Sequence, residues 1–316
     1  MEFKKGGNKM NKQEFTTMVT EELQKMAWEN GYQIEIEPIS VKKMQDPSYD
    51  GICFRRYGSP IGACINLDDA YEAYDNGMTF IAIITRLYDQ ILDALKQAPE
   101  INVVDISDYE KAKNSLYIDL VSYETNKDML KNIPFKQISD MAIYCRLLMR
   151  QDANGIMSIV VNNTMLKTFG VSNEQLFSDA LCNSTKIRPS ELCSMYSALE
   201  KFMNEFPGRL MDNMPFYDDL LPMYVLSNKE HLNGAATLFY PGTMQLVASE
   251  FGGSYYILPS SIHEVILIPD DGDMDVEFLL SMVVSVNKDG VLPEDKLTDS
   301  VYYYDAEKNE FSRCNK

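Results

Sequence analysis

Residues 52–67 read ICFRRYGSPIGACINL, in which two short apolar runs, Ile52 to Tyr57 and Ile61 to Leu67, flank Gly58-Ser59-Pro60. Gly and Pro are the strongest turn formers, so the pattern predicts two neighbouring antiparallel strands. A parallel pair would need a crossover of a dozen or more residues, which three residues cannot supply. Just upstream, Tyr32, Ile34 and Ile36 alternate with Gln33, Glu35 and Glu37, the period of a half-buried strand. A small antiparallel meander follows.

A meander of this size needs a cover, and the sequence supplies two helices. Asn11 stands three residues before Glu14, a capping-box spacing, and Phe15, Met18, Val19, Leu23, Met26 and Ala27 recur at helical intervals until Asn30-Gly31. Between Met78 and Gln97 the residues Phe80, Ile81, Ile84, Leu87, Tyr88, Ile91, Leu92 and Leu95 form a second helical stripe, expected to lie across the meander. Further on, Leu116 to Val121 reads as a strand, and Met141 to Met149 and Ile156 to Val161 as a hairpin around Asn154-Gly155. This hairpin either extends the first sheet or begins a second. Ser172 and Gln175 form another capping box. Beyond residue 222, strands (Met223 to Leu226, Tyr255 to Leu258, Glu264 to Ile268) alternate with helical stretches (Ala235 to Phe239, Met244 to Phe251, Val276 to Val286). Without long βαβ runs the class is α+β. The expected division is a disordered basic tail at 1–11, a lobe at 12–185, a connecting segment at 186–222 marked by Pro189, Pro207, Pro215 and Pro222, and an acidic lobe at 223–316.

The chain has 316 residues, 45% of them hydrophobic, enough apolar surface for buried cores. Its 29 Lys and Arg against 47 Asp and Glu give a net charge of −18. A nucleic-acid backbone or an anionic membrane would be repelled, whereas a basic protein would be attracted. An acidic surface also simply keeps a protein soluble. Six cysteines occur singly, without C-x-x-C spacing, as expected of mostly buried thiols in a reducing compartment. No apolar run reaches the length of a membrane span, and the lysines of the first twelve residues precede no apolar core of a secretion signal. The setting these features predict is cytoplasmic, and Met10 competes with Met1 as the natural start.

Phosphate-loop, dinucleotide, zincin and hydrolase-elbow motifs are all lacking, and the two histidines, His231 and His263, have no metal-ligand spacing around them. No metal and no cofactor is expected. Ser260, Ser261, His263 and Glu264 crowd together and invite a catalytic-triad reading. If the segment is a strand, Ser261 and His263 share a face nearly 7 Å apart at Cβ while Glu264 points away, which favours a polar turn whose hydroxyls cap backbone groups. Asp271-Gly272-Asp273-Met274-Asp275 resembles the start of a calcium loop, but Val276 stands where glycine is required and Met282 where the twelfth-position glutamate belongs. From Asp270 to Glu310 there are twelve acidic residues against Lys288, Lys296 and Lys308, a net of −9. Asp270, Asp271, Asp273, Asp275 and Glu277 are accordingly the candidate binding residues for a basic partner.

The segments Leu226-Ser227-Asn228, Asn233-Gly234-Ala235-Ala236, Tyr240-Pro241-Gly242 and Leu258-Pro259-Ser260-Ser261-Ile262-His263-Glu264-Val265 resemble the signature of an uncharacterised gut-bacterial family, domain of unknown function 5688. The resemblance covers most of the chain beyond Met10 and implies a bacterial cytosolic protein, with no activity, cofactor or catalytic residue to carry over. Three functions are compatible with these residues. The first is a non-catalytic binding or regulatory protein with an acidic surface. The second is a hydrolase using Ser260 or Ser261 with His263 and a carboxylate. The third is an acidic nucleic-acid mimic from a mobile element.

Overall fold

The computed structural model describes residues 9–42, 44–45, 48–59, 62–97, 106–152, 155–205 and 221–314. The expected tail at 1–11 therefore lies largely outside the described residues, as do the tips of two predicted turns, residues 60–61 and 153–154. The chain divides into two compact units, Met1–Val103 and Val104–Lys316.

In the first unit α1 (Lys12–Glu29) is followed by β1 (Ile34–Val41), β2 (Tyr49–Arg56), β3 (Ala63–Asn66), α2 (Asp68–Asp75) and α3 (Phe80–Gln97). The strands pair antiparallel in the order β1-β2-β3, as the 52–67 stretch predicts. Asn11 caps α1 with both hydrogen bonds of the capping box, its Oδ1 accepting from the Glu14 N–H and its own N–H donating to Glu14. Phe15, Val19, Leu23 and Ala27, one face of α1, are fully buried with Ile34, Ile36, Ile52, Phe54 and the Ile84-Leu87-Ile91 stripe of α3. Each of these side chains other than that of Ala27 contributes about 1.5–3 kcal/mol by leaving water. The strands' other face is polar: Arg55 reaches Glu35 at 2.7 Å and Glu37 at 3.1 Å.

The second unit opens with α4 (Tyr109–Ala112), then β4 (Leu116–Ser122), α5 (Tyr123–Leu130), β5 (Phe135–Ile138), β6 (Met141–Asp152) and β7 (Gly155–Val160). These strands form a second sheet, with β4 along one edge of β6 and β5 then β7 along the other. There follow α6 (Asn163–Phe169), α7 (Asn173–Ile187), β8 (Ser190–Ser194), α8 (Met195–Glu205), β9 (Tyr224–Asn228), a 3-10 turn (Gly234–Phe239), α9 (Thr243–Phe251), β10 (Tyr255–Leu258), β11 (Val265–Pro269), α10 (Val276–Asp289), β12 (Tyr302–Asp305) and β13 (Glu310–Arg313). The third sheet is antiparallel throughout, in the order β13-β12-β10-β11-β9-β8. Three antiparallel sheets with helices packed on them make the fold α+β.

The division falls near residue 103 and not within 186–222. Strand β8 lies inside the expected connecting segment yet pairs with β9 along five residues. Both later sheets also share one core, in which Leu116, Ile118, Leu120, Met141 and Ile143 pack with Leu226, Tyr255, Ile257, Val265, Leu267 and Tyr302. The prolines mark turns within one body, because sequence punctuation does not reveal which strands pair. On this third sheet α10 covers Leu258, Ile268 and Val301 with Leu279 and Val283. No disulfide joins the cysteines, and of the six only Cys145 is buried, while Cys64 and Cys182 are exposed. The expected general burial of thiols does not hold, since both exposed cysteines sit on solvent faces of regular elements.

Candidate functional site

Ser261, His263 and Glu264 do not lie in a strand. They occupy the irregular segment before β11, held by a bridge to the 292–297 turn: the Ile262 N–H donates to the Asp295 carbonyl, and the Leu297 N–H to that of Ser260. The alternation expected of a strand fails there, and the Glu264 carboxyl lies near enough to His263, His231 and Ser261 to feel all three. The Ser261 hydroxyl accepts from the backbone N–H of His263 at 2.9 Å, and Ser261 is only 5% exposed. Burial pushes the Glu264 carboxyl above its ordinary value, against the pull of His263 and His231.

The imidazole of His263 faces elsewhere. Its Nδ1 accepts the backbone N–H of Asn233 at 3.1 Å, and its Nε2 lies 3.0 Å from Asp295 Oδ1. An Nδ1 that accepts carries no proton, so the ring is the Nε2–H tautomer and donates to Asp295. Both nitrogens are engaged, and neither touches a serine oxygen. A nucleophile-base relay requires the imidazole within hydrogen-bond reach of the hydroxyl, and this geometry differs from one.

From Asn233 the polar chain continues inward. Asn233 Nδ2 donates to Asp119 Oδ2 at 3.2 Å; Asp119 is 2% exposed and also accepts from Tyr144 at 3.4 Å, with Arg146 at 3.8 Å. Burial raises the Asp119 carboxyl, opposed by Arg146 and Arg188 and by its hydrogen bonds to Asn233 and Tyr144. Arg188, nearly as buried, donates to the Leu232 carbonyl and lies over the Tyr117 ring at 5.9 Å. Sequence reasoning passed over this buried cluster. Its signal was a charged residue inside an apolar run, Asp119 within Leu116–Val121 and Arg146 within Met141–Met149. A buried ion pair of this kind fixes geometry more than it stabilises.

The acidic candidates lie between β11 and α10. Asp270 serves the fold: one carboxylate oxygen accepts the Gly272 N–H and the other the Tyr303 hydroxyl, at 2.7 Å. Asp271 accepts from the Asp273 N–H, and Asp275 caps α10 by accepting from the Glu277 N–H. Carboxylates at a helix N-terminus also meet its partial positive charge. Asp271, Asp273, Asp275 and Glu277 remain exposed. Beyond them α10 carries Phe278, Met282 and Val286 at i, i+4 and i+8, one row along its flank; Phe278 and Val286 are each 50% exposed. Asp289 and Glu294 follow the row, with Leu292 exposed between them. An open cleft of about 770 Å³ in the same unit is lined by Gln245, Ser249, Gly253, Ser254, Tyr303 and Asp305, and none of Ser261, His263 or Glu264 borders it.

A family model described as a family of unknown function, DUF5688, matches residues 12–306. The chain belongs to this family. The match takes in all four resembling segments and both compact units. No curated protein and no solved structure matches the chain. Among the described residues, no group of three His, Cys, Asp or Glu side chains could hold a metal ion, and no helix is long and apolar enough to cross a membrane.

Proposed function

We propose that this member of the family is a non-catalytic binding or regulatory protein of the bacterial cytoplasm, whose acidic carboxy-terminal surface engages a basic protein. One observation carries the reading: the apolar row Phe278-Met282-Val286 lies on α10 between the exposed carboxylates of Asp271, Asp273, Asp275 and Glu277 and that of Asp289, with the half-buried Glu294 beyond. Half-exposed aromatic and aliphatic side chains ringed by like charges suit a basic amphipathic segment, which offers apolar contacts to the row and Lys or Arg to its rim. The carboxylates would speed encounter and make capture salt-sensitive, because exposed charges are screened within a Debye length of about 8 Å at physiological salt.

The experiment is capture of a basic protein from native lysate at low and high salt, using the full chain and two folded variants. Phe278→Ser with Val286→Ser removes the row, and Asp271→Asn, Asp273→Asn and Glu277→Gln together remove the rim. Salt-sensitive capture lost in both variants supports the reading. Capture that survives loss of the row but not of the rim favours the nucleic-acid mimic, which needs charge alone. Capture indifferent to both variants, or turnover on a hydrolase panel abolished by His263→Ala, overturns it.

A further inference from the structure

The 52–67 hairpin places two thiols face to face. Cys53 of β2 and Cys64 of β3 are register partners, between the core pair Ile52 and Ile65 on one side and Phe54 opposite Ala63 on the other. The kind of pair follows from the ladder. The Leu67 N–H donates to the Asp50 carbonyl, so positions 50 and 67 form a hydrogen-bonded pair, and counting three steps along β2 makes 53 and 64 a non-hydrogen-bonded one. The other edge of β2 agrees. The Tyr57 N–H donates to the Gln33 carbonyl, so the Cys53 backbone groups point toward Glu37 of β1 and away from β3.

Non-hydrogen-bonded partners stand about 4.5 Å apart at Cα with their side chains closest. That separation is within the range of about 4.4–6.8 Å that a disulfide spans. Both side chains project from the sheet face opposite the core, with Cys64 exposed and Cys53 half-buried. Room for movement is present as well. The Cys53 sulfur rests over Gly62, where a Cβ would meet it at 2.6 Å, so that position just before β3 leaves the sulfur the space of a side chain, and χ1 has staggered alternatives to the one it occupies.

We propose that Cys53 and Cys64 are a reversible thiol–disulfide pair that a low-molecular-weight disulfide oxidises. The exposed Cys64 thiolate attacks one sulfur of the reagent, forming a mixed disulfide and expelling one small thiolate. The Cys53 thiolate then attacks the Cys64 sulfur, forming the cross-strand bond and expelling the second. The reagent is reduced by two electrons, the two cysteines are oxidised by two, and the two thiol protons end on the two released small thiols. The product ties β3, the edge strand of its sheet, to β2. An exposed bond of this kind belongs to the reducible class rather than the permanently structural one.

The test treats the folded full chain with oxidised glutathione, quenches with an alkylating agent, and maps every cysteine by peptide mass. In the unaltered protein the expected product is a Cys53–Cys64 linked peptide pair, two hydrogen atoms lighter than the dithiol, with complete loss of the glutathione adduct from Cys64. Exposed Cys182, on helix α7 with no cross-strand neighbour, should keep its adduct. In Cys53→Ser, an outer-face change outside the core, Cys64 should keep its adduct too, and dithiothreitol should restore both thiols in the unaltered chain. An adduct persisting on Cys64 of the unaltered chain, or a 53–64 link that forms only in urea, would overturn the proposal.

Discussion

Gly234 is the position where a single added methyl group meets the most resistance. A Cβ there would lie 2.1 Å from Ser227 Oγ, 2.5 Å from the His263 carbonyl oxygen and 2.6 Å from the Asn228 nitrogen. Two of the three obstacles are backbone, which cannot rotate aside. The crowding exists because Gly234 donates to the His263 carbonyl at 2.9 Å while Ser227 donates to the same oxygen at 2.7 Å. Gly234→Ala therefore costs about 1–3 kcal/mol for overpacking. To this is added roughly 1 kcal/mol for each of the two displaced hydrogen bonds. The sum, about 3–5 kcal/mol, is a large part of a domain's ordinary stability of about 5–15 kcal/mol. Native-state hydrogen exchange of the β9 and β11 amides reads this loss directly and is blind to the amino-terminal unit. Gly253→Ala is the control: nothing lies within 4 Å of its Cβ and its φ is not positive, so the change should stay within about 0.5 kcal/mol. A Gly234→Ala protein weakened by less than about 1 kcal/mol would refute the claim that this junction has no slack.

Two further outcomes follow, one from a carboxylate and one from a histidine. Asp140 accepts from the hydroxyls of Thr298, Ser300 and Tyr302 and lies 3.6 Å from Arg313; burial raises its carboxyl, but these hydroxyls and the guanidinium outweigh burial and hold it below the ordinary value. A depressed folded value stabilises above the unfolded carboxylate value of about 3.9 and is lost as pH falls through the folded one. Urea titrations from pH 7 to 2 should thus show Asp140→Asn to be about 2–3 kcal/mol weaker at neutral pH, with the gap closing toward the acid end. His263→Ala strands the Asn233 N–H and frees Asp295 to water, which should lower the urea midpoint by an amount equivalent to about 1–3 kcal/mol.

Much of the fold was legible because local rules and tertiary context agree. The capping box at Asn11, the α3 stripe, the 52–67 hairpin and the strands at 116–122, 255–258 and 265–269 all coincide with the pattern that announces them. Elements passed over are those whose pattern is short or mixed. Strands β12 and β13, Tyr302–Asp305 and Glu310–Arg313, have four residues each, and the alternation of β12 is among tyrosines whose hydroxyls make both faces look alike. Strand β8 reads as linker because Ser190-Glu191-Leu192-Cys193-Ser194 has one strong apolar residue, its place being fixed by pairing with β9. Domain division failed for the same reason: pairing between distant segments leaves no mark in local composition. The acidic segment was visible as charge, but its division of labour was not. Which carboxylates cap a turn or helix, as Asp270 and Asp275 do, depends on backbone donors that only the fold brings near.

Of the four segments that carry the family resemblance, three follow one another closely and Leu258 to Val265 comes after residues 243–257, yet that last segment meets Leu226-Ser227-Asn228 and Asn233-Gly234-Ala235-Ala236 at one junction, from which Tyr240-Pro241-Gly242 leads away. Asn228 holds the turn after β9 through both side-chain atoms, its Oδ1 accepting from the Leu232 N–H and its Nδ2 donating to the Leu232 carbonyl. That turn puts His231 and Asn233 in the left-handed region, at φ +50° each, which Asn and His tolerate better than most residues. The Asn233 backbone N–H is thereby aimed at the His263 ring, its side chain at Asp119, and the next N–H at the His263 carbonyl. The 3-10 turn to Phe239 then carries the chain into Tyr240-Pro241-Gly242, where Gly242 at φ +81° opens α9. A serine, a histidine and carboxylates thus come together for a mechanical reason. They lock β9, β11 and the 292–297 turn at the end of one sheet, and every polar atom of the His263 ring is consumed in doing so. Chemistry-bearing residue types at close spacing point to an active site only when a ring nitrogen and a hydroxyl are left facing a cleft. Here each is bonded to backbone or carboxylate, and those bonds hold the junction together.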